Sequence, residues 1–259
     1  MRFAKLHGLG NDFVLLDFRG GGSEPLPAAR ALELCDRNRG IGADGVLTLL
    51  AGNRMMVQNA DGSVPEMCGN GARCAALWIA TDGCTRPAEG RVELMTDAGP
   101  RPCQVQAGGD ARSGLVTVDM GTAVVEQPRG LPLGSRRADA WPVSMGNPHR
   151  VFFAGGEPGA LAREFGPVLS RAEDANIEFV TRLGPQMWRV AVWERGAGLT
   201  QACGTGACAV AAAAVARGES SRDAEITVEL PGGELGIRID LENRVRMRGP
   251  AQLVFTGEV

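Results

Sequence analysis

The 259-residue chain has no tyrosine, two histidines (His7 and His149) and one lysine, Lys5, so every other basic side chain is arginine. A pyridoxal-phosphate enzyme needs a Schiff-base lysine, and Lys5 sits in an N-terminal strand pattern, Arg2–His7, that is unsuited to the task. No Cys-x-x-Cys pair and no His-Glu-x-x-His motif occurs, so no metal site is expected. No Gly-x-Gly-x-x-Gly follows a strand pattern, which removes the usual dinucleotide fingerprint. No apolar run approaches the ~20 residues that span a bilayer; the Ala-rich run 207–216 is too short and too weakly apolar. Met1 leads straight into Arg2-Phe3-Ala4-Lys5 with no apolar signal region. A net charge of −3 leaves little for nucleic acid to bind. The expectation is a cytoplasmic protein with no cofactor and neither nucleic acid nor membrane as partner. Its acid/base chemistry must fall to Cys, Asp, Glu and at most two His.

With 44% apolar and 22% charged residues, the chain can fill a real core as one large domain or two ordinary ones. Its seven cysteines are an odd number without small-domain spacing, which reads as free thiols in a reducing compartment. Cys35, Cys74, Cys84, Cys103 and Cys208 read as small core hydrophobes. Cys68 and Cys203 are different. Cys68-Gly69-Asn70-Gly71 and Cys203-Gly204-Thr205-Gly206 each open a run that reads as a helix, Asn70–Ala80 and Thr205–Arg217. A helix N-terminus lowers a thiol's pKa and holds a carboxylate on its unpaired N–H groups. Two such units suggest two thiols acting on one small anionic substrate.

In order, the patterns predict strands at Arg2–His7 and Phe13–Phe18 around a turn, a loop at Gly20–Pro27, and a helix at Pro27–Arg37. A Gly-rich turn, Gly40–Gly45, precedes strands at Val46–Ala51 and Arg54–Asn59. After the first Cys-Gly helix come a hairpin, Arg91–Thr96 with Arg101–Ala107, and a strand, Leu115–Met120. The second half repeats this order. Cys68 and Cys203, and Asn59 and Glu194, lie 135 positions apart; Gly10 and Gly146, and Val92 and Val228, lie 136 apart. Gly121–Arg137 reads as a Pro/Gly-rich connector. The expected fold class is α/β (α+β): two pseudo-symmetric lobes, 1–114 completed by the last strand at 250–259, and 115–249.

Two related halves make a cleft in which equivalent loops meet. Cys68 and Cys203 would then flank one substrate, one thiolate removing a proton from carbon while the opposite thiol delivers one to the other face. That inversion needs no cofactor if preorganised donors hold the charge developing on a neighbouring carboxylate, and the N-termini at Gly69-Asn70 and Gly204-Thr205 supply them. His149, after Gly146-Asn147-Pro148, and Glu194 are the candidate assisting bases. The first half has Phe13 and Asn59 at the matching positions, and sequence does not say which base serves which thiol. His7 reads as structural.

Lys5–Phe13 (Lys-Leu-His-Gly-Leu-Gly-Asn-Asp-Phe), Asn59–Ser63, Met67–Cys74, Met145–His149 and Glu194–Cys208 resemble the motifs of the diaminopimelate epimerase family, and the resemblance runs from Lys5 to the hairpin after Pro231. It implies conversion of LL-2,6-diaminoheptanedioate to the meso form without cofactor, in lysine and cell-wall precursor biosynthesis. It also implies two lobes, each a curled mixed sheet around a central helix, and a homodimer. By the same resemblance Cys68 and Cys203 are the acid/base pair, assisted by His149 and Glu194. Asn11, Asn59, Gly69, Asn70, Asn147, Asn176, Glu194, Arg195, Gly204 and Thr205 match substrate contacts. Two positions depart from it: Gly45 stands where some members carry a Gln contact, and Phe255 is the nearest match to a dimer-interface Tyr. A proline- or hydroxyproline-type racemase would share the two thiols without the Asn and Arg set. A non-enzymatic amino-acid-binding module would need no thiols.

Overall fold

The computed structural model describes residues 1–21, 26–83 and 90–259. It divides into two compact units, Met1–Val118 with Arg248–Val259, and Asp119–Met247. The first runs β1 (Arg2–Gly8), β2 (Asn11–Asp17), α1 (Ala28–Cys35), β3 (Gly45–Leu50), β4 (Arg54–Asn59), α2 (Gly69–Ala80), β5 (Gly90–Thr96), β6 (Gly99–Ala107) and β7 (Ser113–Thr122). The second runs β8 (Val124–Val125), β9 (Arg129–Leu133), β10 (Arg136–Ser144), β11 (Pro148–Phe152), α3 (Pro158–Glu173), β12 (Asn176–Gly184), β13 (Met187–Glu194), β14 (Gly198–Leu199), α4 (Gly204–Ala216), β15 (Glu225–Leu230), β16 (Gly233–Ile239) and β17 (Arg244–Glu258). The end of β17 returns to the first unit, where Leu253 and Gln252 pair with Leu6 and His7 of β1.

The repeat is visible in the ladders. In the first unit β1–β2 is antiparallel, β2–β3 parallel, β3–β4 antiparallel, β4–β5 parallel and β5–β6 antiparallel. In the second, β10–β11, β11–β12, β12–β13, β13–β15 and β15–β16 alternate in the same way. Phe13 faces Gly45 across β2–β3, and His149 faces Asn176 across β11–β12. By register, then, Gly45 corresponds to Asn176 and Leu47 to Glu178.

Each unit closes its strands around one helix. α2 packs against β1 to β6, and α4 against β10 to β13, β15 and β16. Ten of the thirteen α4 residues and ten of the twelve α2 residues are buried. α4 is apolar on every side, as suits a helix inside a core, and six of its eight residues at 207–214 are alanine, all buried.

One stretch differs from the sequence expectation. Gly121–Arg137 is not a connector: it holds β8 and β9, both paired to β10, and the first residues of β10 itself. Proline and glycine in it are tolerated because such residues suit edge and turn positions. α3 carries Gly166 and Pro167 in its interior. Gly166 is there for packing, since a Cβ would lie 2.6 Å from Cβ of Trp193. Of the cysteines read as core, Cys35, Cys74, Cys103 and Cys208 are buried, and Cys84 lies outside the described residues.

Candidate active site

In the first unit Cys68 is the N-cap of α2, extended at φ −131°, and its Sγ accepts a hydrogen bond from the Gly71 N–H at 3.4 Å. The N–H groups of a helix's first turn have no carbonyl within the helix to bond, so this end can take an anion. Asn70 is buried and donates from Nδ2 to Asn11 Oδ1 at 2.9 Å. Asn11 Nδ2 donates in turn to Asp44 Oδ2 at 2.8 Å, which also accepts the Asp12 N–H at 3.1 Å. Arg37 bridges Asp12 and Asp44, at 2.7 Å to each, and Lys5 pairs with Asp12 and donates to the Gly42 carbonyl. Burial pushes the Asp12 carboxyl upward, but the hydrogen bonds from Arg37 and Lys5 outweigh it and hold the group down at about 2. An ionic frame thus stands behind Asn11 and fixes which way its amide faces, and the single lysine is part of that frame.

Asn59 lies opposite Gly45 across the β3–β4 ladder, and its side chain makes separate bonds: its Nδ2 donates to Ser63 Oγ at 2.9 Å, which donates to Asp61 at 2.6 Å. Gly45 contributes no side-chain contact, and a Cβ there would lie 2.8 Å from the Gln58 carbonyl oxygen. A glutamine at this position therefore requires a shifted backbone.

In the second unit Cys203 caps α4 at φ −118°, with Sγ 3.7 Å from Thr205 Oγ1. The thiol is buried, and here the expected lowering of its pKa is overturned. Desolvation, with the charges of Glu194 and Glu178, pushes the group well above its ordinary value; the Gly206 N–H and Thr205 oppose this without reversing it. The helix terminus loses to burial beside two carboxylates. Glu194, at the end of β13, accepts a hydrogen bond from Thr200 Oγ1 and interacts with Cys203. Desolvation raises its carboxyl too, against the pull of Thr200 and Cys203. A buried carboxyl raised in this way, in contact with a thiol, is a candidate for proton exchange with it.

His149 is fully buried in β11, with Nε2 3.0 Å from Asn147 Oδ1 and Nδ1 2.6 Å from Glu178 Oε1. Asn147 Nδ2 reaches Thr205 Oγ1 at 3.4 Å. Of the residues expected in this unit, Asn147, His149, Glu194, Cys203 and Thr205 therefore form one group around the α4 N-terminus, with Gly204 its first helical residue. Asn176 and Arg195 form a second: Asn176 Oδ1 accepts the Arg195 N–H at 2.8 Å, and the Arg195 guanidinium holds the Asp174 carboxylate and carbonyl, both at 3.0 Å. A substrate carboxylate must share or displace Asp174 there.

Glu178 was not foreseen. Its signal was an acid inside the apolar stretch Ile177-Glu178-Phe179-Val180, two positions beyond Asn176 and so on the same face of β12. Among the described residues, no cluster of three or more His, Cys, Asp or Glu is placed to hold a metal, and no helix is long and apolar enough to cross a membrane.

The family model for diaminopimelate epimerase matches residues 3–126 and 142–254. A diaminopimelate epimerase of Synechococcus elongatus is 42% identical over 284 aligned positions, covering 100% of this chain and 98% of that protein. One of Desulforudis audaxviator is 43% identical, covering 100% and 99%. Among solved structures, a hydroxyproline epimerase of Agrobacterium vitis with bound trans-4-hydroxy-L-proline superposes with a TM-score of 0.75 at 17% identity, covering 100% of this chain and 90% of that one. That last likeness is one of fold.

Proposed function

The chain belongs to the diaminopimelate epimerase family, and from that premise we propose that it interconverts LL- and meso-2,6-diaminoheptanedioate by a two-thiol, cofactor-independent route. The observation that carries the reading is the duplicated thiol cap: Cys68 and Cys203 each begin the enclosed central helix of a unit. The Cys68 thiolate takes the α-proton, breaking C–H and forming S–H. The electron pair left on carbon delocalises into the carboxylate, whose oxygens are held by first-turn N–H groups of the helices. Cys203, kept protonated by burial beside two carboxylates, gives its proton to the opposite face. Glu194, hydrogen-bonded to Cys203, passes to that thiolate a proton taken up from solvent while Cys68 releases its own to solvent, and in the reverse direction Glu194 is the base for the Cys203 sulfur. Thus Glu194 serves Cys203, while His149 and Asn147 order the mouth of α4.

Asn11, Asn70, Asn59, Asn147, Asn176 and Arg195, with backbone N–H groups at Gly69, Gly204 and Thr205, hold the two amino-acid ends of the substrate; amide side chains both donate and accept. This role belongs to lysine and cell-wall precursor biosynthesis in the cytoplasm. The active form is a homodimer, a reading supported by Phe255, 45% exposed and edge-on to Phe3 at 5.9 Å. The test is stereochemical analysis of LL-diaminopimelate incubated with the purified chain, in chelator and without pyridoxal phosphate. Conversion to the meso form is expected. Conversion that needs added metal or pyridoxal phosphate, or turnover of proline in its place, would reject the reading.

A further inference from the structure

The most demanding arrangement in the second unit is the buried pair Glu178–His149, both 0% exposed. The corresponding pair in the first unit is Leu47 and Phe13, so the fold is satisfied by two apolar side chains at this place. A Cβ on Gly71 would lie 2.8 Å from Leu47 Cδ2, and one on Gly206 would lie 3.0 Å from Glu178 Oε1 and 3.2 Å from Cys203 Sγ. The Glu178 carboxylate therefore lies directly under the α4 N-terminus, on the inner side of the cysteine. Burying a carboxyl and an imidazole where leucine and phenylalanine suffice is costly for stability alone, since each must be paired to be tolerated at all.

We propose that Glu178 is a positioning residue for the reaction, its carboxylate accepting the Nδ1 proton of His149 in a hydrogen bond that fixes the ring so that the Nε2–H donates to Asn147 Oδ1, which orders Asn147 and, through it, Thr205 beside Cys203. The proposal rests on the reading of His149 as an assisting residue. Its geometry stands independently in the 2.6 Å Nδ1–Oε1 and 3.0 Å Nε2–Oδ1 contacts. A histidine held at one nitrogen by a carboxylate has its ring direction fixed. The groups facing the pair are few. They are Arg150 on the same strand, whose guanidinium is tied to Glu173 at 2.9 Å; Glu194 at the end of β13; and Cys203 at the start of α4. Val143 and Val192, opposite His149 and Glu178 on β10 and β13, add no charge. Burial raises the Glu178 carboxyl, and His149 together with the Arg150 backbone draws it back.

The chain has only two histidines, so ¹⁵N-edited NMR of its imidazoles reads the pair directly, with His7→Gln separating the two rings. The wild-type protein should show His149 protonated at Nδ1, with that proton far downfield. In Glu178→Gln the downfield proton should vanish, epimerisation should fall by about ten- to a hundredfold, as when a carboxylate behind a working histidine is removed, and the pH–rate profile should move. Glu178→Asp should restore part of both signals. An unprotonated Nδ1 in the wild type overturns the proposal, even if Glu178→Gln does not fold. So does a Glu178→Gln protein whose His149 spectrum and pH profile match the wild type. The spectrum needs no turnover: a protein that shows the Nδ1 proton but does not epimerise diaminopimelate refutes the functional reading and leaves this one standing.

Discussion

Changing either Cys68 or Cys203 to alanine lowers epimerisation by about a thousandfold, within the ~10²–10⁴ range of a positioned acid or base. The losses should be alike, because inversion needs a proton removed from one face and another supplied to the opposite face. Neither change should unfold the chain. Cys68 is half-buried, and Cys203 is a small side chain held by weak contacts to Thr205 and the helix N–H groups. Far-UV circular dichroism and thermal melts of both variants should match the wild type. Serine at either place should restore little, since a hydroxyl is a far weaker acid than a thiol. A variant that folds and keeps near-full activity would rule out the two-thiol route.

Changing Ala211 to leucine is the largest expected loss of stability from a single conservative change. Ala211 is 0% exposed on a helix enclosed by β10 to β13, β15 and β16. Three added carbons have no open side to turn toward, and overpacking of this kind costs about 1–3 kcal/mol, more where the surroundings cannot move. For a chain of this length each kcal/mol shifts the melting temperature by about 2–4 °C, so a fall of about 5–10 °C is expected by calorimetry. Ala216, exposed on the last turn of the same helix, is the control; leucine there should leave the melting temperature within about 1–2 °C.

Much of this arrangement was legible from residue order alone. The doubled Cys-Gly motif marked both N-caps because a cap needs a small, non-helical residue ahead of an apolar run. The Ala-rich run 207–216 was legible as part of the second helix; its enclosure by strands on all sides was not. Asn59 and Glu194, matched by their spacing, do end equivalent strands, β4 and β13. What escaped depended on partners distant in sequence. The Cys203 thiol is governed by two carboxylates brought in on β12 and β13, so a rule about helix ends taken alone gave the wrong direction. Glu178 was hidden because a single acid in an apolar strand has no motif. Its meaning arises only when the parallel β11–β12 ladder sets it beside His149. The strands β8 and β9 escaped for a similar reason, their prolines and glycines reading as a linker until β10 was there to pair with.

The central claim is that two sulfurs serve the two faces of one carbon, and heavy water tests it most directly. LL-diaminopimelate should be converted in ²H₂O and both isomers recovered within the first few turnovers. The meso product should carry one deuterium at the inverted centre, with unreacted LL substrate still unlabelled, because the departing proton stays with one thiol while the other supplies solvent deuterium. A product that retains the substrate's own hydrogen at that centre would mean a single base works both faces, and would contradict the account.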